Sequence, residues 1–371
     1  MAGKKSLKKY EVEDLRAGMV VGKAIYDNFG NTLVEEDVVL TNRLIVNLLD
    51  RCGDYVYIVE EPKSAEPEFS KVKAIRDLHV LDGSYVVKYR HVFERLQRLF
   101  TAARETKVIA ANELREIVDE VEYLSVKDYS KAITQIHNIP REGDYLVHHS
   151  IRVAILLGVM GQWLHFKPAE LKKLIMAGLI YDIGKTQVPQ DILDKPGKLT
   201  ELEMELVQTH SSLGFELVRK NRLTGNYEVL CGILQHHERL DGSGYPENLP
   251  AEDICEFARL LAIADIYDAM AATTSYAAPK SPFMIFNTLA DDMASNKLDT
   301  KYGVLFIKHM RRCLNGNWVR LTDNVDGKII YVDEGDMRAQ PIVQTADGQF
   351  IDLNKTTDLQ IANLLTYAEI V

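Results

Sequence analysis

The chain has 371 residues, 46% hydrophobic and 26% charged, enough for two or three domains with real cores and in the balance of a soluble globular protein. Disorder as the dominant state, collagen-like repeats and low-complexity architectures are thereby excluded. Lys and Arg number 44 against 54 Asp and Glu, a formal net charge of -10, which argues against non-specific binding to nucleic acid or an anionic membrane but not against a small anion held by metals or a local basic pocket.

Residues 1–62 read as a small α/β domain. Alternating runs at Met19-Val20-Val21 and Tyr55-Val56-Tyr57-Ile58-Val59 suit strands, Asn28-Phe29-Gly30-Asn31 suits a turn, and residues 41–51 suit a helix. Residues 63–127 read as a linker and helical stalk. The linker is polar and contains Pro62 and Pro67, and beyond it Val92, Leu96, Leu99 and then Ile117, Val121, Leu124 recur at helix spacing. A stalk of this kind packs or dimerises.

Residues 128–315 are helical almost throughout by period, with Gly161, Gly184, Pro196-Gly197, Gly225 and Gly242 to Pro246 between segments. Residues 316–371 change to short β-like pieces, Trp318–Leu321, Lys328–Val332 and Pro341–Thr345, which predicts a small C-terminal β extension. The predicted fold class is therefore mainly α, a helical bundle with a small α/β unit before it and a small sheet after it.

Cys52, Cys231, Cys255 and Cys313 are far apart in sequence and form no CxxC pair, which fits buried thiols in a reducing compartment. No apolar run follows the Lys-rich start, so no secretory signal is expected. The most apolar stretch, residues 151–161, is too short to span a bilayer and is broken by Arg152. A cytoplasmic protein without a membrane span is expected.

Chemistry concentrates in the helical region. His148, His149, His210, His236 and His237 lie there beside Asp182, Asp265 and Asp268. Neutral imidazole together with carboxylate suits Mn, Fe or Zn, whereas an all-oxygen cage suits Mg or Ca. The pair His236-His237 ends an apolar helix and runs into Glu238-Arg239-Leu240-Asp241-Gly242-Ser243-Gly244-Tyr245-Pro246, too dense in special residues for a plain helix stop. Asp182 ends another apolar helix, a poor place for a carboxylate unless it is paired or coordinates a metal. Asp265 and Asp268, three apart, share one helix face. His79, His91, His137, His165 and His309 read as surface or core residues, and His148 as a neighbour of the site.

These motifs together resemble an HD-GYP domain, the metal-dependent branch of the HD superfamily that hydrolyses cyclic di-GMP in bacteria. The resemblance is carried by Tyr181-Asp182-Ile183-Gly184-Lys185, by His236-His237-Glu238-Arg239 with Asp241-Gly242-Ser243-Gly244-Tyr245-Pro246, and by Asp265-Ile266-Tyr267-Asp268-Ala269. Lys195-Pro196-Gly197, Leu199-Thr200 and His210 followed by Gly214 also match. It implies two divalent transition metals, Fe or Mn. His149, Asp182 and Asp265 would serve one, and Asp182, His210, His236 and His237 the other, with Tyr181 a further candidate ligand. Asp182 and Lys185 would carry catalysis, a metal-activated water attacking phosphorus while the cations neutralise developing charge. Lys185, Arg239, Gly244, Tyr245 and Pro246 would face a cyclic dinucleotide, with Tyr245 bracing the loop.

The sequence departs from the family in three places. The dyad His is Tyr181, whose phenol has an unperturbed pKa of about 10 and so needs a strongly Lewis-acidic metal. The basic Arg-Pro-Tyr-Arg/Lys run that grips the dinucleotide is replaced by Thr274-Ser275-Tyr276-Ala277, which leaves Lys280 or Arg239 as substitutes. Four residues before His149, where three-metal members carry Glu, stands Tyr145, which sets two metals as the ceiling. Two expectations follow from the resemblance and its departures: a working phosphodiesterase with an altered first metal site, or a catalytically degenerate scaffold. The scaffold would bind GGDEF-type cyclases or other signalling partners, and a homodimer is a further candidate assembly.

Overall fold

The computed structural model describes residues 6–15, 18–27, 30–41, 44–45, 48, 55–60, 82–139, 143–272, 280–356 and 358–365. The Pro-containing linker and the Thr274-Ser275-Tyr276-Ala277 run lie outside the described residues.

Near the N-terminus, β1 (Ser6–Glu11), β2 (Ile25–Tyr26), β3 (Thr32–Val34) and β4 (Tyr55–Glu60) form two antiparallel pairs. β1 pairs with β4, Ser6 facing Glu60 and Glu11 facing Tyr55. Leu15, Val21, Leu40, Val56 and Ile58 close a small core of their own. The Met19-Val20-Val21 alternation yields only isolated bridges, Val20 to Val39 and Val21 to Ile58.

The helical region contains α1 (Gly83–Thr106), α2 (Ala111–Val126), α3 (Tyr129–Asn138), α4 (Tyr145–Trp163) and α5 (Pro168–Ile180). A 3-10 turn over Ile183–Gln187 follows, then α6 (Gln190–Leu193), α7 (Glu201–Gln208), α8 (His210–Lys220) and α9 (Tyr227–Gln235). After the loop come α10 (Glu256–Ala271), α11 (Pro282–Ala294) and α12 (Thr300–Leu314). Carboxylates start several of these helices. Asp82, Asp128, Asp144 and Asp299 accept backbone N–H bonds that the first turn leaves free. Lys107, in the left-handed region at φ +57°, ends α1.

α4 is buried on all sides from Val147 to Gly161, so it is the central helix of the bundle. α1 and α2 bury Val92, Leu96, Leu99, Ile117, Val121 and Leu124 in that same core, which makes the predicted stalk part of the bundle. Beyond α12, β5 (Trp318–Leu321), β6 (Asp326–Tyr331), β7 (Ile342–Thr345), β8 (Phe350–Asp352) and β9 (Ile361–Leu364) form one antiparallel sheet in the order β8-β7-β6-β5-β9. Its Val319, Leu321, Ile329, Val343 and Ile361 join the helical core. The fold is thus mainly α with small sheets at its two ends. Among the described residues no helix is long and apolar enough to cross a membrane.

Candidate metal centre

Five structural pieces bring the histidines and carboxylates together. α4 supplies His149 from its second turn, and the end of α5 supplies Tyr181 and Asp182. The first residue of α8 is His210, the end of α9 presents His236 and His237, and α10 carries Asp265 and Asp268. The 3-10 turn lies directly against the start of α8 because residue 184 is glycine. A Cβ there would fall 1.8 Å from the His210 carbonyl oxygen and 2.5 Å from the Gly214 nitrogen. That contact sets Asp182 and Lys185 beside His210.

Asp182, His210, His236 and His237 form one group whose ligand atoms lie within 4.8 Å of one another. Asp182 Oδ1 is 3.3 Å from His210 Nε2 and 3.8 Å from His236 Nε2, and this buried oxygen accepts no hydrogen bond. The other oxygen, Oδ2, accepts from Lys185 Nζ at 2.7 Å. His210 Nδ1 donates to the Val207 carbonyl at 2.6 Å, and His236 Nδ1 to the Ile233 carbonyl at 2.8 Å. Those carbonyls can only accept, so each ring keeps its proton on Nδ1 and turns a bare Nε2 inward. The two Nε2 atoms stand 3.1 Å apart. Two facing lone pairs beside an unbonded carboxylate oxygen form an arrangement that a cation satisfies.

Electrostatics favour neutral rings at His236 and His237. Burial and the nearby His210 ring push His236 down to about 4, and burial with the His236 ring pushes His237 well below the usual histidine range. Burial opposes ionisation of Asp182, but the Lys185 ammonium outweighs it and holds the carboxyl well below its ordinary value. Burial likewise opposes the charge of Lys185, and pairing with Asp182 overcomes it and raises the amine.

His149, Asp182 and Asp265 form a second group that shares Asp182. It is closed by its own hydrogen bonds. His149 Nε2 lies 2.9 Å from Asp265 Oδ1, and Tyr181 Oη donates to that same oxygen at 2.8 Å. His149 Nδ1 lies 2.8 Å from Asp268 Oδ2, and the buried Arg152 donates from Nε to Asp268 Oδ1 at 2.7 Å and from Nη1 to the Ile136 carbonyl. Burial works against a charged His149, yet the two carboxylates outweigh it and lift the ring to about 9. The Tyr181 phenol is driven well above its usual value by burial and by the Asp182 and Asp265 carboxylates. Tyr181 therefore stands in this structure as a neutral donor to Asp265.

The loop after α9 folds over His236 and His237. Gly244 passes so close to the helix end that a Cβ would lie 2.4 Å from Glu238 Cα and 2.5 Å from the His237 carbonyl oxygen. Tyr245 stacks on the His237 ring at 4.6 Å and precedes the cis-linked Pro246. The buried Glu238 accepts from the backbone N–H groups of Glu247 and Leu249, pinning the far side of the loop. Arg239 turns back, donating to the His236 and Glu238 carbonyls. Tyr145 stacks on His149 at 5.4 Å, and His148 faces away, 3.0 Å from the Tyr89 hydroxyl.

Sequence reasoning passed over Arg152 and Glu238 as site residues and saw Asp268 only as sharing a face with Asp265. One signal was present. His149 and Arg152, like Asp265 and Asp268, are three apart, so two i,i+3 pairs on facing helices meet as a four-residue network.

A helical bundle that gathers His and Asp from five pieces at one point defines a class, and the family model described as HD domain matches residues 134–302. Over that region the chain matches an HD domain. A cyclic di-GMP phosphodiesterase of Pseudomonas aeruginosa is 35% identical over 179 residues, 48% of this chain and 42% of the relative. A 3'3'-cGAMP-specific phosphodiesterase of Vibrio cholerae is 30% identical over 184 residues, 49% of this chain and 42% of the relative. A cyclic di-GMP phosphodiesterase of Thermotoga maritima is 33% identical over 172 residues, 45% of this chain and 46% of the relative. The chain thus spans less than half the length of these relatives. Among solved structures, Bd1817, an HDG"Y"P protein from Bdellovibrio bacteriovorus, aligns with a TM-score of 0.53 over 81% of this chain and 98% of its own, at 15% identity, a likeness of fold alone.

Proposed function

We propose that the chain is a metal-dependent phosphodiesterase that hydrolyses a cyclic dinucleotide, with cyclic di-GMP as the first substrate to try. The observation that carries this reading is the buried, unbonded Asp182 Oδ1 facing the bare Nε2 atoms of His210 and His236. A divalent metal held by Asp182, His210, His236 and His237 would supply Lewis acidity toward the phosphodiester and its attacking water. The chain's own residues do the rest. Lys185 holds a fixed positive charge at the edge of the group, where it can meet a phosphate oxygen once released from Asp182. The Val207 and Ile233 carbonyls keep both imidazoles in the ligating tautomer. Tyr245, stacked on His237, shapes the wall against which a base or ribose would lie.

The relatives' substrates support the class, and the cytoplasmic setting of dinucleotide signalling fits it. The test is turnover of cyclic di-GMP by protein purified without oxygen and supplied with Fe or Mn, with Asp182→Ala as control. Linear product from the parent alone supports the enzyme. No product with either metal, from protein that retains the metal, refutes it.

A second reading is favoured by the other ligand group. With His149 and Tyr181 both engaged on Asp265 Oδ1, the first site is filled by its own hydrogen bonds. On this reading the chain holds a single metal and serves as a binding or scaffold module, with GGDEF-type cyclases or a second copy as candidate partners. Metal content separates the two readings. One tightly held ion per chain, rising to two in Tyr181→His, supports the scaffold, whereas two ions in the parent support the two-metal enzyme.

A further inference from the structure

We propose that Cys231 and Cys255 are a peroxide-responsive dithiol, a site at which hydrogen peroxide joins the two sulfurs in an intramolecular disulfide. The pair is invisible in the sequence spacing and does not depend on the phosphodiesterase reading.

Three observations place the two cysteines together. Cys231 lies in α9 one turn before Gln235, and Cys255 is the residue from which α10 begins. A single atom holds both: Gln235 Oε1 accepts from the Cys231 thiol at 2.9 Å and from the Cys255 backbone N–H at 2.9 Å. The two helices are drawn close by Gly232, where a Cβ would lie 3.1 Å from Leu261 Cδ1 and 3.3 Å from Phe257 Cβ. Cys231 is 4% exposed and Cys255 is half-buried, so a water-sized oxidant reaches the pair from the Cys255 side. Hydrogen bonding with the Cys255 thiol, against burial and assisted by the Tyr227 hydroxyl, lowers Cys231 from its usual range and favours its thiolate.

The chemistry balances with one peroxide. The Cys231 thiolate attacks a peroxide oxygen, the O–O bond breaks, and the departing hydroxide takes up a proton as water, leaving a sulfenic acid. The Cys255 sulfur then attacks the Cys231 sulfur and expels the hydroxyl, which leaves with the Cys255 proton as a second water. Two thiols lose two electrons in all, and the peroxide is reduced to two waters. The new bond ties the helix end that runs into His236 and His237 to the start of the helix that carries Asp265, and Gln235 loses its thiol donor. Cys313, in α12 and 3.8 Å from the Ser130 hydroxyl, belongs to a different part of the bundle and serves as an internal control.

The test treats the full chain with hydrogen peroxide, blocks remaining thiols with iodoacetamide and maps peptides without reductant. The expected result is an intact mass short of two hydrogens, two thiols lost to alkylation, and a peptide joining residues of α9 to residues around Cys255, all reversed by dithiothreitol. Cys255→Ser, at the more exposed position, removes that peptide while Cys313→Ser leaves it. Alkylation of both Cys231 and Cys255 after peroxide overturns the proposal. So does a disulfide that joins either one to another cysteine or to a second chain. The parent's own peptide map decides the question even where a variant fails to fold.

Discussion

Asp268 is the residue on which the buried charges of the site depend. It accepts from Arg152 Nε through one oxygen and meets His149 Nδ1 through the other, and all three side chains are out of solvent. Such a network is costly to desolvate, but once built it cannot lose one member cheaply. Asp268→Asn keeps the shape and removes the charge that neutralises Arg152. Urea unfolding of the metal-free protein should show a loss of about 3–5 kcal/mol. In an Arg152→Met background the same substitution should cost clearly less, because the uncompensated cation is gone. Equal losses in both backgrounds would mean that Asp268 acts through packing alone. Tyr181 is a smaller case of the same rule. Its hydroxyl donates to Asp265, and Tyr181→Phe removes that charge-assisted hydrogen bond, so a loss of about 1.5–3 kcal/mol is expected in the same measurement.

Among the elements, the 3-10 turn between α5 and α6 does the positioning. Gly184→Ala would place a methyl group 1.8 Å from the His210 carbonyl, and backbone on both sides leaves it nowhere to go. The expected outcome is a destabilisation of about 3 kcal/mol or more, together with weaker metal retention as His210 moves from Asp182, read by metal analysis after dialysis. A gentler element is α7, whose start is a capping box. Thr200 caps the Glu203 amide, while Glu203 reaches back to Thr200 and to Lys195. The Lys195 hydrogen bond, with the Thr200 amide, lowers Glu203 to about 2. A depressed carboxylate stabilises the fold above its unfolded pKa of about 4.3 and loses that contribution as pH falls through the folded value. Protection factors at the start of α7, measured against the intrinsic exchange rate, should therefore fall between pH ~4.3 and ~2, and Glu203→Gln should remove that dependence. The helices were legible in the sequence because the apolar period is a local signal. β1 was not: Ser6-Leu7-Lys8-Lys9-Tyr10-Glu11 looks like a charged tail, and only pairing with β4 makes it a strand. Met19-Val20-Val21 failed in the opposite direction, since alternation without a continuous partner gives bridges alone. In the site, the candidate ligands were named from their motifs, and the structure groups them at one point. The bond from His149 to Asp268 spans 119 residues and the one from Arg152 spans 116, distances at which spacing carries no signal.

At the scale of the whole molecule, the C-terminal sheet and the helical bundle share one hydrophobic core, whereas residues 12–58 keep a separate one. The joint is made by Arg311 near the end of α12. Its side chain is 1% exposed and, among the described residues, forms no ion pair. Instead it donates to the carbonyls of Asp333, Met337 and Ala339, at 3.2, 3.1 and 2.7 Å, and lies over the Phe283 ring at 5.4 Å. One cation thus satisfies three backbone oxygens of the segment that joins β6 to β7, and a planar fork of donors suits that task better than an ammonium. Arg311→Lys keeps the charge but cannot reach all three, so it should lose most of the benefit. Arg311→Met leaves the carbonyls buried without donors, each omission costing roughly 1–3 kcal/mol where water cannot enter. The joint is local, so the loss should be too. Hydrogen exchange in the variant should quicken in β6 and β7 while the amides around Asp182 and His236 keep their protection. Uniform loss of protection across the bundle would instead mean that the sheet and the site unfold together, and that the extension is required for the metal centre to form.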